Sequence, residues 1–162
     1  MLTGWQEIAG STYYFNQDGK MQTGKMYLGI AMCTFDTDGK LLSKEVTEID
    51  PDKPMVALTF DDGPGKRTKD LLKALKKYHA HATFFVLGTN AERYPDEIKK
   101  MQKIGCEVGN HSYDHADLSK LKKKSLKEQI NTTNEIITDL TGIGTMLVRP
   151  PYGAISNTIK SS

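Results

Sequence analysis

The chain has 162 residues, 38% of them hydrophobic and 26% charged, with a formal net charge of +2. That length holds one domain of ordinary size, or a smaller one with an appendage, and the apolar content allows a core. The charge is too mild to argue for nucleic acid, no run approaches the ~20 residues of a membrane span, and two distant cysteines, Cys33 and Cys106, define neither a disulfide framework nor a zinc site. The opening Met1-Leu2-Thr3-Gly4-Trp5 has no basic start and no apolar run, so no secretion signal is expected there. Lys120, Lys122, Lys123, Lys124 and Lys127 fall in a helix-like segment and read as a solvated face, with attraction to an anionic polymer as the other reading.

The first forty residues repeat with a spacing of 20. Thr3-Gly4 recurs as Thr23-Gly24, Tyr14-Phe15 as Thr34-Phe35, and Asp18-Gly19-Lys20-Met21 as Asp38-Gly39-Lys40-Leu41. A short fixed period signals stacked units, here two short strands each with a glycine turn. Gly4-Trp5, Gly10, Tyr13-Tyr14-Phe15, Asp18-Gly19-Lys20-Met21 and Thr23-Gly24 resemble the choline-binding or glucan-binding repeats of Gram-positive surface proteins. That resemblance implies about two cell-wall-binding hairpins over 1–42, whose aromatics cage choline or stack on sugar. The second copy departs from the pattern, with Lys25 in place of Trp5 and Cys33 in place of Tyr13. Aromatics that only fill hairpin cores are the competing reading.

Residues 43–54 are charged and contain Pro51 and Pro54, which reads as a linker. From 55 to 162 strands and helices alternate. Met55 to Phe60, Ala82 to Leu87, Glu107 to Asn110 and Thr145 to Val148 are strand-like. Arg67 to Tyr78, Pro95 to Ile104 and Leu118 to Leu140 are helix-like. Such alternation predicts an α/β domain with a parallel sheet, and ligands gather at the C-terminal ends of such strands.

The chemically interesting residues fall at those ends. Thr59-Phe60-Asp61-Asp62-Gly63-Pro64 closes the first strand, and a bend at Gly63 is expected to let both carboxylates converge. Two carboxylates that close call for a cation between them; an ordinary Asp-Gly turn is the alternative. His111-Ser112-Tyr113-Asp114-His115 follows the third strand, and two imidazoles at i and i+4 of a helical turn reach one ion. The pair alone fits a metal site and equally fits capped or surface histidines. His79 and His81 read as surface or packing residues. Arg149-Pro150-Pro151-Tyr152-Gly153 follows the fourth strand, its stiff prolines aiming an arginine that fits a carboxylate; a structural ion pair is the alternative.

Together with Ala82-Thr83-Phe84-Phe85-Val86-Leu87-Gly88, these motifs resemble the NodB-type polysaccharide deacetylases, carbohydrate esterase family 4, over about residues 53–155. The resemblance implies a partial (β/α) barrel and one divalent metal, usually zinc. Position by position, it implies Asp62, His111 and His115 as metal ligands, Asp61 as general base and Arg149 as its orienting partner. It further implies the Tyr152 backbone N–H at the oxyanion, Pro151 and Tyr152 as substrate contacts, and Ser112 as a brace of the histidine loop. The implied activity is hydrolysis of N-acetyl groups on a cell-wall polysaccharide, peptidoglycan or a chitin-like glycan, at an extracellular or wall-associated location.

The family pattern continues with a later Asp motif and a Leu-x-His-Asp-like motif carrying a catalytic acid, and neither occurs before Ser162. A chain without that acid is expected to be slower by about 10²–10⁴, and half a barrel is expected to expose a sheet edge. Two other functions stay open on the sequence: a non-catalytic wall-binding remnant, and an O-deacetylase such as an acetylxylan esterase.

Overall fold

The computed structural model describes residues 2–16, 19–28, 31–46 and 56–155. The chain divides into two units, 1–54 with 142–144, and 55–141 with 145–162.

In the first unit the 20-residue repeat becomes a repeated hairpin register. β1 (Gly4–Ile8) pairs antiparallel with β2 (Ser11–Phe15), Gly4 opposite Phe15. β3 (Gly24–Leu28) pairs with β4 (Ala31–Phe35), Gly24 opposite Phe35. Ala9 and Gly10 both take positive φ, 50° and 75°, as the tight two-residue turn of a twisted hairpin requires. The two copies differ where their sequences differ. Gln6 faces Tyr13 in the first, and at the equivalent place Met26 faces Cys33 in the second. Met26 and Cys33 are buried, and with Ala31 and Phe35 they form this unit's core, against which Tyr14, Leu28 and Leu41 pack. β5 (Leu41–Val46) pairs with β4, so residues 43–46, read as the start of a linker, are strand; residues 47–55 lie outside the described part. Ile143–Gly144 form a short strand parallel to β3.

The second unit holds a parallel sheet of β6 (Thr59–Gly63), β7 (Thr83–Val86) and β8 (Glu107–Asn110), in that order. Its helices are α1 (Thr68–Lys77), α2 (Gly88–Arg93), α3 (Pro95–Lys103) and α4 (Lys123–Thr141). Phe84, Val86 and Val108 of the sheet pack with Leu72, Leu75, Ile98, Met101 and Ile137 of the helices. In the parallel register, Thr59, Thr83 and Glu107 form one row and Asp61, Phe85 and Gly109 another. Alternation along each strand places both rows on the sheet face opposite that core.

Three expectations are corrected. The first strand does not stop before the aspartates but contains them, because its ladder with β7 begins only at Thr59 opposite Thr83. α2 was not foreseen; it is six residues long, separated from α3 by Tyr94, and starts at Gly88. The fourth strand is reduced to one bridge, Val148 with Asn110, supported by Asn110 N–H to Leu147 O and Arg149 N–H to Asn110 O. The Leu147 N–H is taken by the Thr145 hydroxyl and Pro151, the next donor position facing β8, has no N–H, so the ladder cannot lengthen. Among the described residues no helix is long and apolar enough to cross a membrane.

Candidate metal centre

Asp62 is turned by a bulge rather than by a bend at Gly63. The β6–β7 register shifts between Asp61 and Gly63, and Asp62 sits at φ 64°. A bulge breaks strand alternation and re-aims one side chain. The Asn90 side chain of α2 holds this conformation by donating to the Asp62 carbonyl at 2.8 Å.

The histidines also meet by a different route from the helical turn expected. Residues 111–117 form a loop, with Ser112 and His115 at φ 72° and 67°. The Ser112 hydroxyl accepts the His115 N–H, so it does brace this loop. Further braces come from residues to which the sequence reading gave no role. Asn110, fully buried, accepts the Ser112 N–H and donates to the Ile130 carbonyl and the Asn134 side chain of α4. Gln129 of α4 accepts the backbone N–H of Tyr113 and of Asp114. Gly88 and Thr89 donate to the Ser112 and Tyr113 carbonyls. A Cβ at position 88 would lie 2.4 Å from the Tyr113 ring, so only glycine lets α2 approach so near.

The result is a compact donor set. Asp62 Oδ1 lies 3.4 Å from His111 Nε2 and 3.2 Å from His115 Nε2, and ligand atoms of all three residues fall within 4.8 Å of one another. His111 is buried, His115 partly buried and Asp62 exposed, so the group opens to solvent on its carboxylate side. Two imidazole nitrogens and one carboxylate oxygen are a usual set for a divalent ion such as zinc, with room left for a further ligand. The His111 Nδ1 meets the Arg149 carbonyl; donating there, it leaves the Nε2 lone pair facing the other donors, the arrangement typical of a ligating histidine. The residues therefore fit a divalent metal.

Beside this set, Arg149 Nη1 donates to Asp61 Oδ1 at 2.7 Å and to the Thr59 hydroxyl at 3.0 Å. The guanidinium lies over the Phe85 ring, 4.0 Å from its centroid. Thr59 thus belongs to the Arg149 setting, a part its place in the first motif did not reveal. Tyr152 occupies a short 3₁₀ turn with its backbone at φ 60°, and the residue is 72% exposed. Pro151 is fully buried and offers a glycan no surface. His79 and His81 lie away from the centre in a pocket with Lys76 and Lys103, and His81 Nδ1 contacts the Gly105 carbonyl.

Comparison with known proteins agrees with this geometry. The polysaccharide deacetylase family matches residues 48–162, and the choline-binding repeat matches residues 2–43. Peptidoglycan-N-acetylmuramic acid deacetylase PdaC of Bacillus subtilis is 49% identical over 121 residues, 74% of this chain and 26% of that protein. A peptidoglycan-N-acetylglucosamine deacetylase of Bacillus cereus is 44% identical over 104 residues, 64% of this chain and 38% of that protein. This chain thus spans well under half the length of either relative. The structure of PdaC superposes with a TM-score of 0.68 at 48% identity, covering 70% of this chain and 57% of that one. A family 4 carbohydrate esterase of Streptomyces lividans, in complex with acetate, gives 0.63 at 37% identity, with 65% and 55% covered. With its motifs brought to one site and the family matching most of its length, the chain belongs to the polysaccharide deacetylases.

Proposed function

We propose that this chain carries the metal-binding and base-bearing part of a hydrolase that removes N-acetyl groups from peptidoglycan. The observation that carries the reading is the donor set of Asp62, His111 and His115 beside the Asp61–Arg149 pair. The substrate class rests on the two relatives named as peptidoglycan deacetylases.

Asp62, His111 and His115 would hold the ion, with zinc favoured by the nitrogen-rich set. A divalent ion there would acidify water and polarise the acetamide carbonyl. Asp61 takes the proton of an attacking water. One of its oxygens is held by Arg149, so the other is left to receive that proton. The water oxygen joins the acetyl carbon, the C–N bond breaks, and acetate and the sugar amine result. The Tyr152 backbone N–H is assigned to the charge that develops on the carbonyl oxygen. Protonation of the leaving amine is the part that the family's later histidine motif carries, and that motif is not in this sequence.

The repeats support wall association, and a location outside the cell follows from that reading. Trp5 contacts Tyr14 edge-on at 5.1 Å and Phe35 at 6.0 Å. Lys44 Nζ already stands over the Trp5 ring, 5.0 Å from its centroid. This aromatic group attracts cations, and choline meets Lys44 there as a competitor.

The test is cation binding by the purified chain, followed by acetate release from N-acetylated and O-acetylated glycans. Stoichiometric zinc binding, much weakened in His111→Ala and His115→Ala, is expected, as is a preference for N-acetyl substrates. Unchanged zinc binding in both variants removes the metal reading, and faster ester than amide hydrolysis reassigns the substrate.

A further inference from the structure

The segment Arg149–Tyr152 touches both histidines of the centre. The Arg149 carbonyl meets Nδ1 of His111, and the Tyr152 hydroxyl lies 3.1 Å from Nδ1 of His115. The Tyr152 ring also packs edge-on against His115, with centroids 4.7 Å apart. In both histidines it is therefore Nδ1 that is engaged by this segment, and Nε2 that faces Asp62.

We propose that the Tyr152 hydroxyl is a positioning residue for the metal centre. It fixes the tautomer and ring angle of His115, as the Arg149 carbonyl does for His111. The inference rests on the metal reading above but adds a role to a side chain whose backbone alone had one. When His115 Nδ1–H donates to the hydroxyl oxygen, Nε2 keeps its lone pair for the ion; such outer partners also raise the ligand's basicity. The need for an added brace is visible. His111 is buried and clamped, whereas His115 is only partly buried on a loop with two positive-φ residues. A left-handed backbone at a non-glycine residue is strained and persists where surrounding contacts impose it. Tyr152 is held in that conformation between two further turn bonds, Gly153 N–H to Pro150 O and Ala154 N–H to Pro151 O. Its tyrosine head thereby stands over His115 although the residue as a whole is exposed.

The experiment is a cobalt(II) titration of the full chain, read by competition with a chromophoric chelator and by the visible absorption of bound Co²⁺. Tyr152→Phe keeps the ring, the backbone amide and the fold, and removes one oxygen atom. It is expected to weaken Co²⁺ binding by about 10-fold or more, the usual range for a lost outer partner, and to shift the absorption bands. In a His115→Ala background the same change is expected to add nothing, because its target is gone. Affinity within twofold of the parent with an unchanged spectrum overturns the proposal, as does an equal loss in the His115→Ala background. A parent chain that binds no Co²⁺ overturns the metal centre itself, which separates that failure from this one.

Discussion

Arg149 and Asp61 are joined at 2.7 Å through Nη1 and Oδ1, while the Arg149 carbonyl meets His111 Nδ1. One residue thus serves the base by its side chain and a metal ligand by its backbone. The two services separate on mutation. Arg149→Lys keeps the carbonyl but loses the planar fork and its stack on Phe85. Zinc affinity is expected to stay within about twofold, while acetate release falls roughly 10- to 100-fold, as for other lost orienting partners. Parallel loss of both in calorimetry and acetate assays contradicts this division.

The histidine loop depends on one buried amide. Asn110 accepts one backbone N–H and donates to two acceptors on α4. Asn110→Asp puts an acceptor where both donors stood, facing the Ile130 carbonyl and Asn134 Oδ1. The expected loss of stability is roughly 2–3 kcal/mol, the cost of unpaired buried polar groups. Chemical denaturation measures it; a change under 1 kcal/mol refutes the network's importance. Zinc affinity should fall with it, because the loop's first turn hangs on the same side chain.

Much of this was legible in the sequence, for physical reasons that also mark where legibility stopped. Periodicity and turn residues located the β7, β8, α1 and α3 regions, because local pattern and packing agree there. The 20-residue repeat returned as a 20-residue register. The grouping of Asp62, His111 and His115 was implied by the family resemblance, but the route was not. A bulge at Asp62 and left-handed Ser112 and His115 are non-glycine outliers, which no propensity rule anticipates. The thin fourth strand depended on a Thr145 side chain capturing one N–H. Gln129 and Asn134 were invisible because helix periodicity reports apolar faces, and these are polar residues that bond Tyr113 of the loop and Asn110 at the end of β8, 16 and 24 positions away.

Glu107 gives a pH-dependent prediction. Among the described residues its Oε1 is buried without a partner, and its Oε2 has only the Thr83 hydroxyl at 3.4 Å. Burial pushes its carboxyl up, and the Thr83 hydrogen bond offsets this only in part. A raised folded value means that the folded state keeps the proton to higher pH than the unfolded chain does. Ionisation therefore costs stability as pH rises through that window, and the cost vanishes below the ordinary value of 4.5, where both states are protonated. Glu107→Gln is expected to stabilise the chain at pH 8 by about 1 kcal/mol, the low end for an unpaired buried acceptor because the residue is only partly buried. The gain should disappear at pH 4. Thermal melts at both pH values check it, and an equal gain at each rules out ionisation as the cause.

Lys44 and Trp5 define the last prediction. Trp5 is the only tryptophan in the chain, so its fluorescence reports its own ring face. The Lys44 ammonium over that face is the chain's own cation in the position an organic cation would take. Both residues are exposed, so the contact is worth about 0.5–1 kcal/mol. Lys44→Ala removes the competitor while leaving Trp5, Tyr14 and Phe35 in place. Choline is then expected to quench Trp5 at roughly two- to fivefold lower concentration than in the parent, the factor corresponding to that energy. Trp5→Phe abolishes the signal and serves as the blank. Identical choline curves for the parent and Lys44→Ala show that Lys44 does not guard the ring. No response in either assigns the aromatics to hairpin packing alone.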